Sequence, residues 1–191
     1  MFPGPDPDAR NDIVLTTARL TLRPPDDGDV ERLFELVGGA DRARVCAGLL
    51  WDGPDSAAEI AGWVQRHRHA TFYDEGFAWV IHLDGAPAGT IGLRPHHFPG
   101  RALVGYWLGT PYWRRGIMKE ALTAIMDLAF TGLGMGKVEA EVFTTNLAGL
   151  RLVESIGMQR EAMFRRAVRK GGEWLDEAVY GLVPEEWRVR R

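Results

Sequence analysis

Arg114, Arg115 and Gly116 stand in "PYWRRGIM" (Pro111 to Met118), directly before an apolar helical stripe. A helix start carries the positive end of the macrodipole, so adjacent cations there are unfavourable unless an anion faces them. The free amides of a helix N-terminus form an anion site, a glycine lets the backbone come close, and guanidinium groups add charge-assisted bonds to phosphate. The competing reading is a solvated turn that carries two arginines. The stretch lacks the GxxxxGK[ST] spacing of a Walker loop, and it is no GxGxxG dinucleotide fingerprint. Further candidates for chemistry lie around it. Tyr106 sits on the apolar run "RALVGYWLG", Glu139 and Glu141 alternate on "KVEAEVF", and His96 and His97 occupy the segment before Arg101. Histidine titrates in the range that suits a base.

These residues need elements to hold them. "IVLTTARLTLRP" (Ile13 to Pro24) alternates as a first strand, with Leu20 and Leu22 on one face and Thr21 and Arg23 on the other. Two helices follow, one with the stripe Val30, Leu33, Phe34 and Val37, the other opened by Asp55 or Ser56; the stretch between them, "ADRARVCAGLLWDGP", has no clear period. Asp84-Gly85 is the turn of a hairpin. After a further strand, Met118, Ala121, Leu122, Ile125 and Leu128 repeat at helical spacing. "KVEAEVF" is the next strand, Asn146 caps a short helix that closes at Gly157, and a last hairpin turns at Lys170-Gly171-Gly172. The order β-α-α-β-β-β-α-β-α-β-β describes one mixed α/β domain over residues 13–191, behind a flexible leader at 1–12.

Composition narrows the function. A chain of 191 residues with a net charge of -3 has no basic stripe for nucleic acid. Cys46 is the lone cysteine, and no His/Cys spacing fits a metal site, so neither a disulfide framework nor a metal is expected. No apolar run reaches the roughly 18 residues of a membrane span. The N-terminal stretch is no signal peptide, and the cytoplasm is the expected location.

"GYWLGTPYWRRGIMKEALTAIMDLAF", "KVEAEVFTTNLAGLRLVESIGMQRE" and "GGEWLDEAVYGLVPEEW" together closely resemble the GNAT-fold N-acyltransferases, and within them the RimJ/RimL-like group. The resemblance covers roughly residues 13–187. It implies a mixed, mostly antiparallel central sheet flanked by helices, and transfer of an acyl group, most often acetyl, from acyl-coenzyme A to a primary amine of a protein N-terminus or small molecule. It implies that the amides of Trp113, Arg114, Arg115, Gly116, Ile117 and Met118 cradle a pyrophosphate. The pantetheine arm would pair beside Tyr106, Trp107 and Leu108, with an amide there polarising the thioester carbonyl. Asn146 would contact the pantetheine, and a homodimer is the expected assembly.

The chain departs from that group where proton-transfer residues often stand. Leu103 replaces a frequent Glu, Gly149 a frequent Ser, Val153 a Tyr used as acid in other branches, and Met118 a small loop residue. Tyr106, Glu139 and His97 are the remaining catalytic candidates. The departures also support an alternative, a module that binds acyl-coenzyme A without turnover. The arginines of "FRRAVRKGGEW" are read either as a solvated turn or as an anion-preferring mouth of the acceptor pocket. Trp51 is a candidate for the wall of an acceptor channel.

Overall fold

The structure is a computed structural model that describes residue 6, residues 11–68 and residues 70–189. Strands β1 (Leu15–Thr16) and β2 (Leu20–Arg23) precede helices α1 (Val30–Gly38), α2 (Arg42–Cys46) and α3 (Ala57–Arg68). Strands β3 (Phe77–Leu83), β4 (Ala86–Pro95) and β5 (Arg101–Leu108) lead to α4 (Ile117–Asp127). Then come β6 (Lys137–Phe143), α5 (Leu147–Ser155), β7 (Gln159–Lys170), β8 (Glu173–Leu182) and α6 (Pro184–Val189). The eight strands form one sheet in the order β1-β2-β3-β4-β5-β6-β8-β7. Every neighbouring pair is antiparallel except β5 and β6.

This is the expected mixed α/β domain with three additions. The single strand expected over 13–24 folds back on itself, because Thr17 takes a hydrogen bond from the amide of Leu20 and closes a tight turn between β1 and β2. The stretch without a clear period holds the short helix α2, and α6 follows the last strand. Most of the expected leader lies outside the described residues. Asn11, counted with it, is 1% exposed and donates from its side-chain amide to the carbonyl of Ala78. No helix among the described residues is long and apolar enough to cross a membrane.

Two apolar layers sandwich the sheet. Ile117, Leu122 and Ile125 of α4 and Val153 of α5 pack with Ala102, Val104, Val138 and Ala140 on one face. Leu33, Val37, Ile60 and Val64 of α1 and α3 pack with Val80 and Trp107 on the other. Each fully buried Val, Leu or Ile side chain among them contributes about 1.5–3 kcal/mol by leaving water.

The two halves of the sheet meet over a short seam. β5 and β6 pair only at Arg101, Ala102 and Leu103 against Lys137, Val138 and Glu139. Glu139, 4% exposed, takes hydrogen bonds from Arg101 and lies 3.2 Å from the Lys137 ammonium and 3.6 Å from His96. A buried carboxylate held by two cations locks the seam at the rung where the cleft begins.

Candidate active site

The sheet opens where that seam stops. His96 donates to the Arg101 carbonyl at one end of the β4–β5 ladder, and Gly109 donates to Ala88 at the other. Odd-numbered residues of β5 therefore spend their main-chain groups on β4, and even-numbered ones turn theirs to the opposite edge. Past Leu103 that edge has no strand partner among the described residues. The carbonyl of Leu108 accepts from the Trp113 indole at 2.8 Å. Tyr106 is left with its N–H and C=O facing the gap. Trp107 is not, since its main chain addresses β4.

A cleft of about 1350 Å³ fills this gap and runs from one face of the sheet to the other. On the α4–α5 side its walls include Tyr106, Met118, Ala140 and Asn146. On the α1–α3 side they include Trp51, Trp63, Gly105, Trp107, Glu141 and Glu177. Asn146 caps α5 by accepting from the amide of Gly149 at 3.0 Å, so it lines the cleft and caps the helix at once. Met118 is 8% exposed and packs into the core while bordering the cleft, which keeps its bulk out of the loop.

The arginine loop ends at the N-terminus of α4. Arg114 and Gly116 both have left-handed backbones, with φ of 58° and 73°. A Cβ on Gly116 would meet only the Arg19 guanidinium, at 3.6 Å, so the backbone angle and not crowding is what requires glycine. No side chain among the described residues caps α4. Among the described residues no backbone carbonyl accepts from the amides of Arg114, Arg115 or Gly116. The loop is nevertheless anchored. Arg19, in the β1–β2 turn, donates to the Arg115 carbonyl at 3.0 Å and to Glu120 at 2.7 Å, and Thr17 donates to the same carboxylate. On its other flank Thr110 donates to Asp41, and Arg32 to the Tyr112 hydroxyl at 3.3 Å. The result is a rigid arc of unused amides at the positive end of a helix, which fits a pyrophosphate.

The expected residues divide. Tyr106, Trp107, Leu108, Trp113, Arg114, Met118 and Asn146 line the cleft, whereas Arg115, Gly116 and Ile117 lie behind its lining. Two expected catalytic residues do not come together with them. Glu139 is locked in the seam. Burial pushes its carboxyl up, but hydrogen bonds from Arg101 and Lys137 and their charges outweigh this and hold it below the usual range, which weakens it as a base. His97 is exposed on the β4–β5 turn, its ring in tilted contact with those of His96 and Phe98, outside the cleft lining. Burial pushes the Tyr106 phenol far above its ordinary range, so it keeps its proton. The arginine cluster of the last hairpin also stays out: Arg165, Arg166 and Arg169 do not line the cleft, and Lys170 is spent on Asp52 and the Trp51 carbonyl.

Sequence reasoning missed Glu177. It faces Phe143 across the β6–β8 ladder and so sits diagonally from Glu141 on the same face. Burial and then the charge of Glu141 push its carboxyl up. A half-buried carboxyl with a raised proton affinity, in a cleft and next to a like charge, is a stronger proton acceptor than an ordinary carboxylate. Alternation in "EWLDEAVYGLV" orients Glu177, but only the register with β6 brings it to the gap.

The GNAT acetyltransferase domain matches residues 19–159. The chain belongs to the GNAT acetyltransferase family. It is 31% identical over 177 residues to the uncharacterized N-acetyltransferase YoaA of Bacillus subtilis (strain 168), covering 89% of this chain and 96% of that protein. A GCN5-related N-acetyltransferase from Brucella melitensis has the same fold, with a TM-score of 0.82 at 22% identity over 97% of this chain and 84% of that one. So has RimL, a ribosomal L7/L12 alpha-N-protein acetyltransferase solved with coenzyme A, with a TM-score of 0.79 at 20% identity over 90% and 98% of the two chains. This GNAT protein is an N-acyltransferase with acyl-coenzyme A as co-substrate. Its unused loop amides and the free edge at Tyr106 are the features of this chain that fit the co-substrate.

Proposed function

We propose that the protein acetylates a primary amine by direct attack, with Glu177 as general base. The single observation that carries this reading is the Glu141–Glu177 pair on the α1–α3 wall of a cleft whose opposite wall carries the anion loop. The donor supplies an activated thioester carbonyl. The arc from Arg114 to Met118 holds its diphosphate, the expected Trp113 amide being spent on the Thr110 carbonyl, and the N–H of Tyr106 is directed at the gap where that carbonyl would lie. Glu177 takes the proton of the incoming ammonium, with Glu141 keeping its affinity for that proton high. The Tyr106 phenol, protonated throughout, is placed to return a proton to the leaving sulfur. The acceptor enters from the α1–α3 side, between Trp51, Trp63 and Trp107.

The carboxylate pair favours turnover over mere retention of acyl-coenzyme A, since a binding module needs no base beside the gap. A homodimer remains part of the reading. It is supported by Met163, Phe164 and Trp174, each 54% exposed on the last hairpin, and sedimentation at twice the 21.3 kDa chain mass checks it. The activity test has two stages. Coenzyme A and acetyl-coenzyme A raise the melting temperature saturably, and a panel of primary amines is then screened for thiol release. Binding without thiol release from any amine would leave only the binding-module reading. Absence of any thermal shift would sink the loop assignment itself.

A further inference from the structure

Four arginines among the described residues line the cleft, and they fall at two ends. Arg66 on α3 and Arg94 on β4 belong to the acceptor half, while Arg44 on α2 and Arg114 lie beside the start of α4. The donor of the proposed reaction carries two separate anionic groups, a diphosphate and a ribose 3′-phosphate of about -2. The free amides and Arg114 match the first. Arg115 does not line the cleft, so the loop itself offers no second guanidinium to it.

We infer that Arg44, seated on the indole of Trp113, forms a second phosphate site that recognises the 3′-phosphate of the donor's adenosine. The Arg44 guanidinium lies 5.5 Å from the centre of the Trp113 ring. Trp113 is itself fixed by its bond to the Leu108 carbonyl. Stacking orients a guanidinium and leaves its edge donors available. One of those donors is spent on Asp41, at 2.9 Å. The others have no acceptor among the described residues. Asp41 is in turn held by Thr110, so α2 and the anion loop move as one piece and the two phosphate sites keep a fixed separation. The Arg44 side chain is 66% exposed, as a terminal phosphate at the rim of the cleft requires. Asp41 is a positioning residue in this arrangement.

The inference rests on the proposed use of acyl-coenzyme A, and the experiment separates the two. Calorimetry is run with coenzyme A and 3′-dephospho-coenzyme A on the native protein, on Arg44→Ala and on Arg165→Ala, which removes an exposed charge outside the cleft. The native protein and Arg165→Ala bind coenzyme A about tenfold or more tightly than the dephospho form, as one charge-assisted contact allows. In Arg44→Ala that ratio falls to about one while the affinity for the dephospho form is unchanged. Equal affinities in the native protein overturn the inference, and so does an Arg44→Ala variant that weakens both ligands alike. Loss of the ratio in Arg165→Ala also overturns it, because general field and not contact would then be responsible. Native protein that binds neither ligand overturns the donor reading beneath it.

Discussion

Gly105 gives the sharpest test of which side of the cleft takes which substrate. It is exposed, lines the cleft on the Trp107 face of β5, has no positive φ, and a Cβ built on it meets nothing within 4 Å. Gly105→Val therefore introduces no clash and no backbone strain. Glycine in a strand is worth about 0.5–1 kcal/mol less than alanine, and β-branched residues suit a pleated surface better still. The variant should be more stable than the native protein by about 1 kcal/mol, or about 2–4 °C in Tm for a domain of this size. Its added carbons nonetheless project into the acceptor half. One superfluous methylene in a fitted pocket costs about 1–3 kcal/mol, so kcat/KM for the amine should fall at least about tenfold. The donor KM should hold, because the donor approaches from the Tyr106 face. Calorimetric melting and initial rates with each substrate varied in turn read all three quantities. A stabilised variant with unchanged amine kcat/KM, or one in which only the donor KM rises, refutes the assignment of faces.

Glu177→Gln should lower kcat by about 10²–10⁴ and abolish the acidic limb of its pH profile. Glu141→Gln removes the like charge that helps hold Glu177 up, so that limb should move to lower pH; a shift the other way contradicts the pairing. Gly116→Val forces a β-branched residue into a left-handed backbone at a cost of about 1–2 kcal/mol, and calorimetry should show weakened coenzyme A binding. Glu139→Gln leaves Arg101 and Lys137 short of their counter-charge, and should lower Tm while sparing kcat. Because Glu139 has a depressed folded pKa, its stabilisation is complete above its ordinary value of 4.5 and is lost as pH falls through the folded value. Native and variant melting curves should therefore converge in acid, and persistent separation there would rule out the ion cluster as the cause.

Local signals in the sequence were sufficient wherever local physics decides. Gly116 marked a left-handed start to α4, Asp84-Gly85 and Gly171-Gly172 marked turns whose backbones are left-handed, and Asn146 announced its own helix. What stayed hidden depends on register between distant strands. Glu139 and Glu141 look equivalent on an alternating strand, yet the β5–β6 ladder covers the first and stops before the second. Glu177 enters the site only through its pairing opposite Phe143, and Arg19 reaches the loop only because Thr17 reverses the chain. A run such as Ile13 to Pro24 alternates equally well as one strand or as two.

The three-pair seam between β5 and β6 sets the depth of the cleft as a stop sets the travel of a drawer. Its last rung is Leu103 against Glu139, and everything beyond that rung is space for substrate. At fixed register, each further rung would shorten that space by about 3.3 Å, the rise of one residue along a strand. Descendants of this chain could not adjust the reach of the cleft smoothly by moving the rung. They would trade it in increments of a few methylenes, and finer tuning would fall to the side chains at the vertex, beginning with Leu103.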